Sequence, residues 1–233
     1  MVIIMNLQII YEDNKMIVCN KATGVLAQSG KSFDVDMVSA LMTYRKKKGE
    51  DTFVGVINRL DRQVSGLMVF AKTKEEAAIL NKLMQHNEFN KYYYAVVCGK
   101  PVNDKGSFVD YLLKDGKANT STVVSKDIKD AKRAELEYEV IKTIVDENTG
   151  KNLTLVKIHL ITGRHHQIRV QFATRGLVLE GDSKYKDTDN SIHKICGTVT
   201  NDSNGIALCA YSLQIGNQKF EINPEASIFK LFE

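Results

Sequence analysis

Arg59-Leu60-Asp61-Arg62 places one carboxylate between two guanidinium groups, and it lies between two short apolar runs, Val54–Asn58 and Leu67–Ala71. Flanking strands give a rigid base from which a loop can present a carboxylate to a ligand. Guanidinium neighbours suit a carboxylate that acts charged, as a nucleophile or general base. An exposed Asp–Arg surface pair of little energetic worth would show the same spacing. In Leu160-Ile161-Thr162-Gly163-Arg164-His165-His166-Gln167-Ile168-Arg169, a strand is predicted to end at a Thr-Gly turn and a helix to begin with Arg164, His165 and His166. A helix N-terminus has free N–H groups and a positive dipole end, which suit a phosphate. Arg164, Arg169 and Arg175 add charge with no acid between them. The competing reading is an ordinary surface helix with solvated charges.

The stretch Lys91-Tyr92-Tyr93-Tyr94-Ala95-Val96-Val97-Cys98-Gly99 has strand character. Alternation puts Tyr93, Ala95 and Val97 on one face and Tyr92, Tyr94 and Val96 on the other. A tyrosine can stack on an unstacked base and present its hydroxyl, or it can simply pack. His159, His165 and His166 make a poor metal site. Adjacent helical residues diverge by about 100°, the His-x-x-x-His spacing is absent, and no metal is expected.

Taken in order, these segments resemble the RluA-type pseudouridine synthases. That family carries His-Arg-Leu-Asp-x-x-Thr-Ser-Gly-Leu, then Lys-x-Tyr-x-Ala-x-Val-x-Gly, then Thr-Gly-Arg-x-His-Gln-Ile-Arg. The counterparts here are Asn58 to Leu67, Lys91 to Gly99 and Thr162 to Arg169. Weaker echoes are Asn20-Lys21-Ala22-Thr23-Gly24, Gly181-Asp182-Ser183-Lys184-Tyr185 and Leu208-Cys209-Ala210-Tyr211-Ser212-Leu213, so the likeness runs from about residue 7 to about 222. Asn58 stands where the family usually has His, Val64 where it has Thr, Lys186 where it has Gly, and Cys209 where it has His.

The resemblance implies isomerisation of uridine to pseudouridine in ribosomal or transfer RNA, on a nucleotide flipped out of its stack. Such an isomerisation needs no cofactor. Asp61 is then the catalytic carboxylate, with Arg164 set against it and Tyr93 at the position that stacks on the target base. RNA contact is expected from Arg59, Arg62, Lys21, Lys91, His166, Gln167 and Arg169. A non-catalytic RNA-binding protein on the same fold, or a hydrolase using Asp61 with a histidine, are the competing classes. The Asn20–Gly24 echo starts too early for a preceding RNA-binding domain, so a single catalytic domain over residues 1–233 is expected, acting as a monomer.

The elements that must position these residues are legible in outline. Leu7–Tyr11 and Met16–Asn20 read as a hairpin around a Glu-Asp-Asn-Lys turn. Asp34 or Asp36 is predicted to cap a helix with Val38, Leu41 and Met42 on its apolar face, ending at Gly49. Arg45 to Lys48 then either complement that helix's C-terminal dipole or touch RNA. Thr73 with Glu76 makes a capping box for a helix through Ala77, Leu80, Leu83 and Met84. Further strands are predicted at Phe108–Leu112, Leu136–Val140, Leu153–Ile161 and Ile206–Ile215, and a helix runs through Ile168, Phe172 and Ala173 to Gly176. Lys114–Lys132 and Lys184–Asn204 lack a pattern. Strands outnumber helices, which predicts an α+β fold whose mixed, mostly antiparallel sheet is flanked by helices.

Composition sets outer bounds. The chain has 233 residues with 32 Lys+Arg against 28 Asp+Glu, a net charge of +4. A chain of this size buries roughly 70–75% of its unfolded surface, which excludes intrinsic disorder. No run approaches the roughly 18 apolar residues of a membrane helix. Cys19, Cys98, Cys196 and Cys209 are scattered, which predicts mostly reduced thiols in a cytoplasmic protein.

Overall fold

The computed structural model describes residues 7–29, 36–86, 88–147, 149–186 and 205–233. In chain order the elements are β1 (Gln8–Glu12), β2 (Met16–Lys21), α1 (Met37–Lys47), β3 (Gly55–Val56), β4 (Ser65–Ala71), α2 (Lys74–Gln85), β5 (Phe89–Cys98) and β6 (Lys105–Asp115). They continue as β7 (Thr120–Val124), β8 (Lys132–Val145), β9 (Asn152–Leu160), α3 (Gln167–Ala173), β10 (Leu208–Ile215), β11 (Gln218–Glu221) and α4 (Ser227–Lys230). The chain divides into two compact units, Met1–Asn90 with Ala210–Pro224, and Lys91–Cys209 with Glu225–Glu233.

In the first unit the strands run β1-β2-β4-β10, with β3 beside β4 and β11 beside β10. The pairings β1–β2, β2–β4, β3–β4 and β10–β11 are antiparallel, and Leu26 with Asp36 forms an isolated parallel bridge. The predicted opening hairpin is present. Its turn is closed by Asp13, whose Oδ1 accepts the Lys15 and Met16 N–H groups at 2.8 and 2.7 Å, the local bond that makes Asp a turn residue. Leu67, Val69 and Ala71 alternate along β4 and share a core with Met16, Val18, Leu80 of α2 and Leu213 of β10. Each such side chain contributes about 1.5–3 kcal/mol when fully buried.

Asp36, rather than Asp34, caps α1. Its Oδ1 accepts the Ser39 N–H at 2.8 Å while its own N–H donates back to Ser39 Oγ at 3.2 Å, a reciprocal cap worth about 1 kcal/mol. The apolar face of α1 differs from expectation. Met42 is exposed, and the buried stripe is Met37, Leu41 and Arg45. Arg45 is admitted to the core because Glu50 and the Phe53 and Lys72 carbonyls occupy its guanidinium. Lys48 is likewise engaged by Glu12 and Glu50, so Arg45 and Lys48 have acidic partners within the unit, while Lys46 and Lys47 are exposed. Thr73 caps α2 by accepting the Glu76 N–H at 3.2 Å.

In the second unit the order is β5-β9-β8-β6-β7, antiparallel throughout. Residues of α3 are buried all round. Phe172 of α3 meets Phe108 and Tyr138 edge-on, at ring separations of 5.0 and 5.8 Å. Two expectations are corrected here. The Lys/Asp-rich stretch holds a strand, β7, whose register onto β6 runs from Tyr111↔Val124 to Asp115↔Thr120; flanking charges mask its short β-branched run. The helix predicted from Arg164 starts only at Gln167, because His166 sits in the left-handed region at φ 52°. Arg164 therefore belongs to a loop, and the helix is a core element rather than a charged surface one. The unpatterned stretch from 187 to 204, with Cys196, lies outside the described residues. Cys19 and Cys209 are free and buried.

Candidate active site

In the first unit the Asp61 loop spans the gap between β3 and β4, and both of its ends are anchored. Leu60 and Val64 are buried, and the Val64 N–H donates to the Asp61 carbonyl at 3.1 Å. This tight turn leaves Asp61 half-buried between exposed Arg59 and Arg62. The position given to Val64, usually Thr in the family, thus serves as an apolar anchor. Beyond the loop, Gly66 has φ +124°, and an added Cβ would lie 2.5 Å from the Ala210 backbone. Only glycine fits that close approach.

A second segment, Lys21 to Val25, is laced to this loop. Gly24 N–H donates to the Arg62 carbonyl at 2.8 Å, and Arg62 Nε donates to the Gly24 carbonyl at 2.9 Å. Lys21 is fully buried, and its Nζ reaches the Val25, Ala22 and Arg62 carbonyls at 2.9, 3.0 and 3.3 Å. Burial pulls the Lys21 ammonium down to about 8, with the Asp61 carboxylate acting the other way. A desolvated ammonium beside a carboxylate is a strong local field. Lys21, expected to contact RNA, is thus a buried residue that ties two loops together beside Asp61.

In the second unit the residues 161–166 are held by side chains. Gln167 Oε1 accepts the Arg164 N–H at 2.9 Å and the Thr162 hydroxyl at 2.8 Å, while Gln167 Nε2 donates to the Glu135 carbonyl at 3.0 Å. Thr162 Oγ1 accepts the Glu135 N–H at 2.8 Å. The loop is thereby stitched to β8. Arg164 is exposed, its Nε donating to the Arg133 carbonyl at 2.9 Å. Lys91 is buried below it, and burial together with the Arg164 charge pulls its ammonium below the ordinary value. Tyr93, two residues along β5, is 5% exposed. Its face holds Ala95 and Val97 as the alternation predicts, while half-buried Tyr92 stacks on His159 at 4.7 Å.

The two histidines lie ring on ring, 3.8 Å apart. His165 Nδ1 meets Ser121 Oγ at 2.9 Å and its Nε2 meets Asn119 Oδ1 at 3.1 Å. His166 Nδ1 meets Tyr185 Oη at 2.8 Å, and that oxygen also accepts the Ser121 N–H at 2.8 Å. Below them Arg169 makes a two-pronged pair with Asp182, at 2.7 and 2.9 Å, with both side chains buried. His166, Gln167 and Arg169 were expected to touch RNA. They are 8%, 3% and 3% exposed, and their polar groups are taken by protein partners, so they build the loop instead. Asn119 and Ser121 carry no signal in the sequence as support for this loop, and Asp182 and Tyr185 stand there only as an echo of the family.

Each unit thus presents a charged side chain on a pinned loop beside a buried lysine, on a sheet-based α+β scaffold. The chain shares the fold of pseudouridylate synthases. It superimposes on human RNA pseudouridylate synthase domain containing 4 with a TM-score of 0.75 at 21% identity, over 97% of this chain and 90% of that one. Residues 15–174 match the family described as RNA pseudouridylate synthase, and the chain belongs to that family. Relatives include ribosomal large subunit pseudouridine synthase C of Rickettsia bellii, 32% identical over 177 residues, 76% of this chain and 56% of that protein. Ribosomal large subunit pseudouridine synthase D of Borreliella burgdorferi is 30% identical over 230 residues, 96% of this chain and 63% of that protein. The chain spans little more than half the length of the first of these relatives.

Proposed function

We propose that this chain converts specific uridines in RNA to pseudouridine, with RNA of the large ribosomal subunit, the subunit for which its relatives are named, as the first substrate to try and transfer RNA as the second. The two units act as one catalytic domain in this reading. The observation that carries it is Asp61, half-buried at the tip of a loop anchored at both ends and backed by the buried Lys21 ammonium. Covalent or acid–base work by a carboxylate needs that kind of fixed, charged presentation. In the reaction the bond from uracil N1 to ribose C1′ breaks, the base turns, and C5 bonds to C1′. The C5 proton passes to solvent and N1 gains one, so atoms balance without a redox partner. By their match to the family's motifs Tyr93 and Arg164 are also assigned catalytic roles in this reading, and exposed Arg59 and Arg62 contact the RNA backbone, where arginine suits phosphate.

RNA tritiated at uridine C5 tests this. Pseudouridine formation releases tritium to water while the strand stays intact and no free uracil is made. Free uracil or a cut strand would point to a hydrolase instead. Tight RNA binding with no tritium release from any cellular RNA would point to a binding protein.

A further inference from the structure

Backbone pairing stops just before the Asp61 loop begins. Val56 is the last residue of β3, and the Ile57 N–H donates to the Val69 carbonyl at 3.1 Å. One residue later a side chain takes over. Asn58 Nδ2 donates to the Leu67 carbonyl at 3.2 Å, and Asn58 Oδ1 accepts the Val69 N–H at 2.8 Å. The amide is 7% exposed and stands in for the next rung of the β3–β4 ladder. Both backbone groups are buried with it, so removing the amide leaves them without these bonds.

We infer that Asn58 is a positioning residue for Asp61, its side-chain amide fixing the root of the catalytic loop and doing so independently of pH. The inference rests on the reading of Asp61 given above. An amide has one donor and one acceptor that do not titrate. The imidazole usual at this position in the family also has one of each when neutral, but two donors and no acceptor when protonated. An imidazolium could still serve the Leu67 carbonyl and would turn an N–H toward the Val69 N–H. Ionisable side chains on the bordering elements are Cys19 and Lys21 on β2, Tyr211 on β10, and Arg59, Asp61 and Arg62 on the loop. From α2, Ala77 and Leu80 pack toward β3 and β4 without charge. The neighbouring charges are thus fixed by the unit itself, and a histidine placed here would titrate among them.

The test compares Asn58→His and Asn58→Ala with the parent at pH 8.5 and 5.5, reading single-turnover rate on C5-tritiated RNA, RNA affinity and circular dichroism. Asn58→His is expected within about threefold of the parent at pH 8.5 and falls behind it toward pH 5.5 as far as its imidazole, held below the ordinary value of about 6.5 by burial, protonates. The loss should lie in the rate, with RNA affinity and circular dichroism unchanged. Asn58→Ala is expected to trail by about tenfold or more at both pH values, since a displaced catalytic group slows the reaction wherever it is assayed. A parental rate in Asn58→Ala, or unfolding of Asn58→His at pH 5.5, would each overturn the positioning role. Asp61→Asn run alongside separates the claims. Turnover surviving there overturns the reading of Asp61 and the role of Asn58 with it. Turnover lost there, with Asn58→Ala tracking the parent at both pH values, overturns the role of Asn58 alone.

Discussion

The Asp61 loop of the first unit and the Arg164 loop of the second each present a charged side chain, yet they are held by different kinds of bond. Around Asp61 the clamps grip backbone: Lys21 takes the Ala22, Val25 and Arg62 carbonyls, and Asn58 takes the Leu67 carbonyl and the Val69 N–H. Around Arg164 side chains grip one another as well as backbone: Thr162 with Gln167, His165 with Ser121 and Asn119, His166 with Tyr185, and Arg169 with Asp182, beside the bonds of Thr162 and Gln167 to the Glu135 backbone. A backbone clamp needs one special residue, because any residue supplies the carbonyl. A side-chain network needs several matched identities, and losing one strands another. The first loop should therefore be sensitive at few positions and the second at many.

The largest effect is expected where that network is most deeply buried. Asp182→Ala leaves the Arg169 guanidinium without its carboxylate and should lower unfolding stability by about 3–5 kcal/mol, read by urea titration. A loss under about 1 kcal/mol would show that surface-like pairing, not a buried network, holds the second loop.

Lys21 sharpens the other side of the comparison through pH. Its folded value is about 8 against an ordinary 10.5. Below pH 8 both folded and unfolded chains carry the charge, and folding bears the full burial penalty. Between these values the unfolded chain binds more protons, so stability rises with pH. Relative to Lys21→Met, the parent should gain roughly 3 kcal/mol between pH 8 and 10.5, measured by paired denaturant titrations. A flat difference would mean that the ammonium is not desolvated.

A smaller effect is expected from Gln167→Ala, which frees the Arg164 N–H and removes one of the ties to β8, leaving the direct bond of Thr162 to Glu135, at about 1–3 kcal/mol. Its companion readout is a slower single-turnover rate at unchanged RNA affinity. An unchanged rate would show that Arg164 needs no such support.

The same contrast explains what was legible in the sequence. Asp61 and Arg164 stand out because each lies among charges between apolar strands, a pattern local to about ten residues. The hairpin of β1 and β2, the caps Asp36 and Thr73 and the strand alternation around Tyr93 are equally local, and they were read correctly. Ser121 and Asn119 meet His165 across 44 and 46 residues, and Tyr185 meets Ser121 across 64. No periodicity marks such partners. Arg169 showed its charge but not its burial, so a core residue looked like an RNA contact. The left-handed His166 that delays α3 also carries no signal, since histidine adopts that conformation only when its surroundings impose it.

The account stands or falls on Asp61. The most direct measurement is the single-turnover rate of Asp61→Asn on C5-tritiated ribosomal RNA, with binding followed in the same samples. The expected result is a loss of about 10³-fold or more in tritium release, with RNA affinity within about threefold of the parent. Parental tritium release from Asp61→Asn would contradict it.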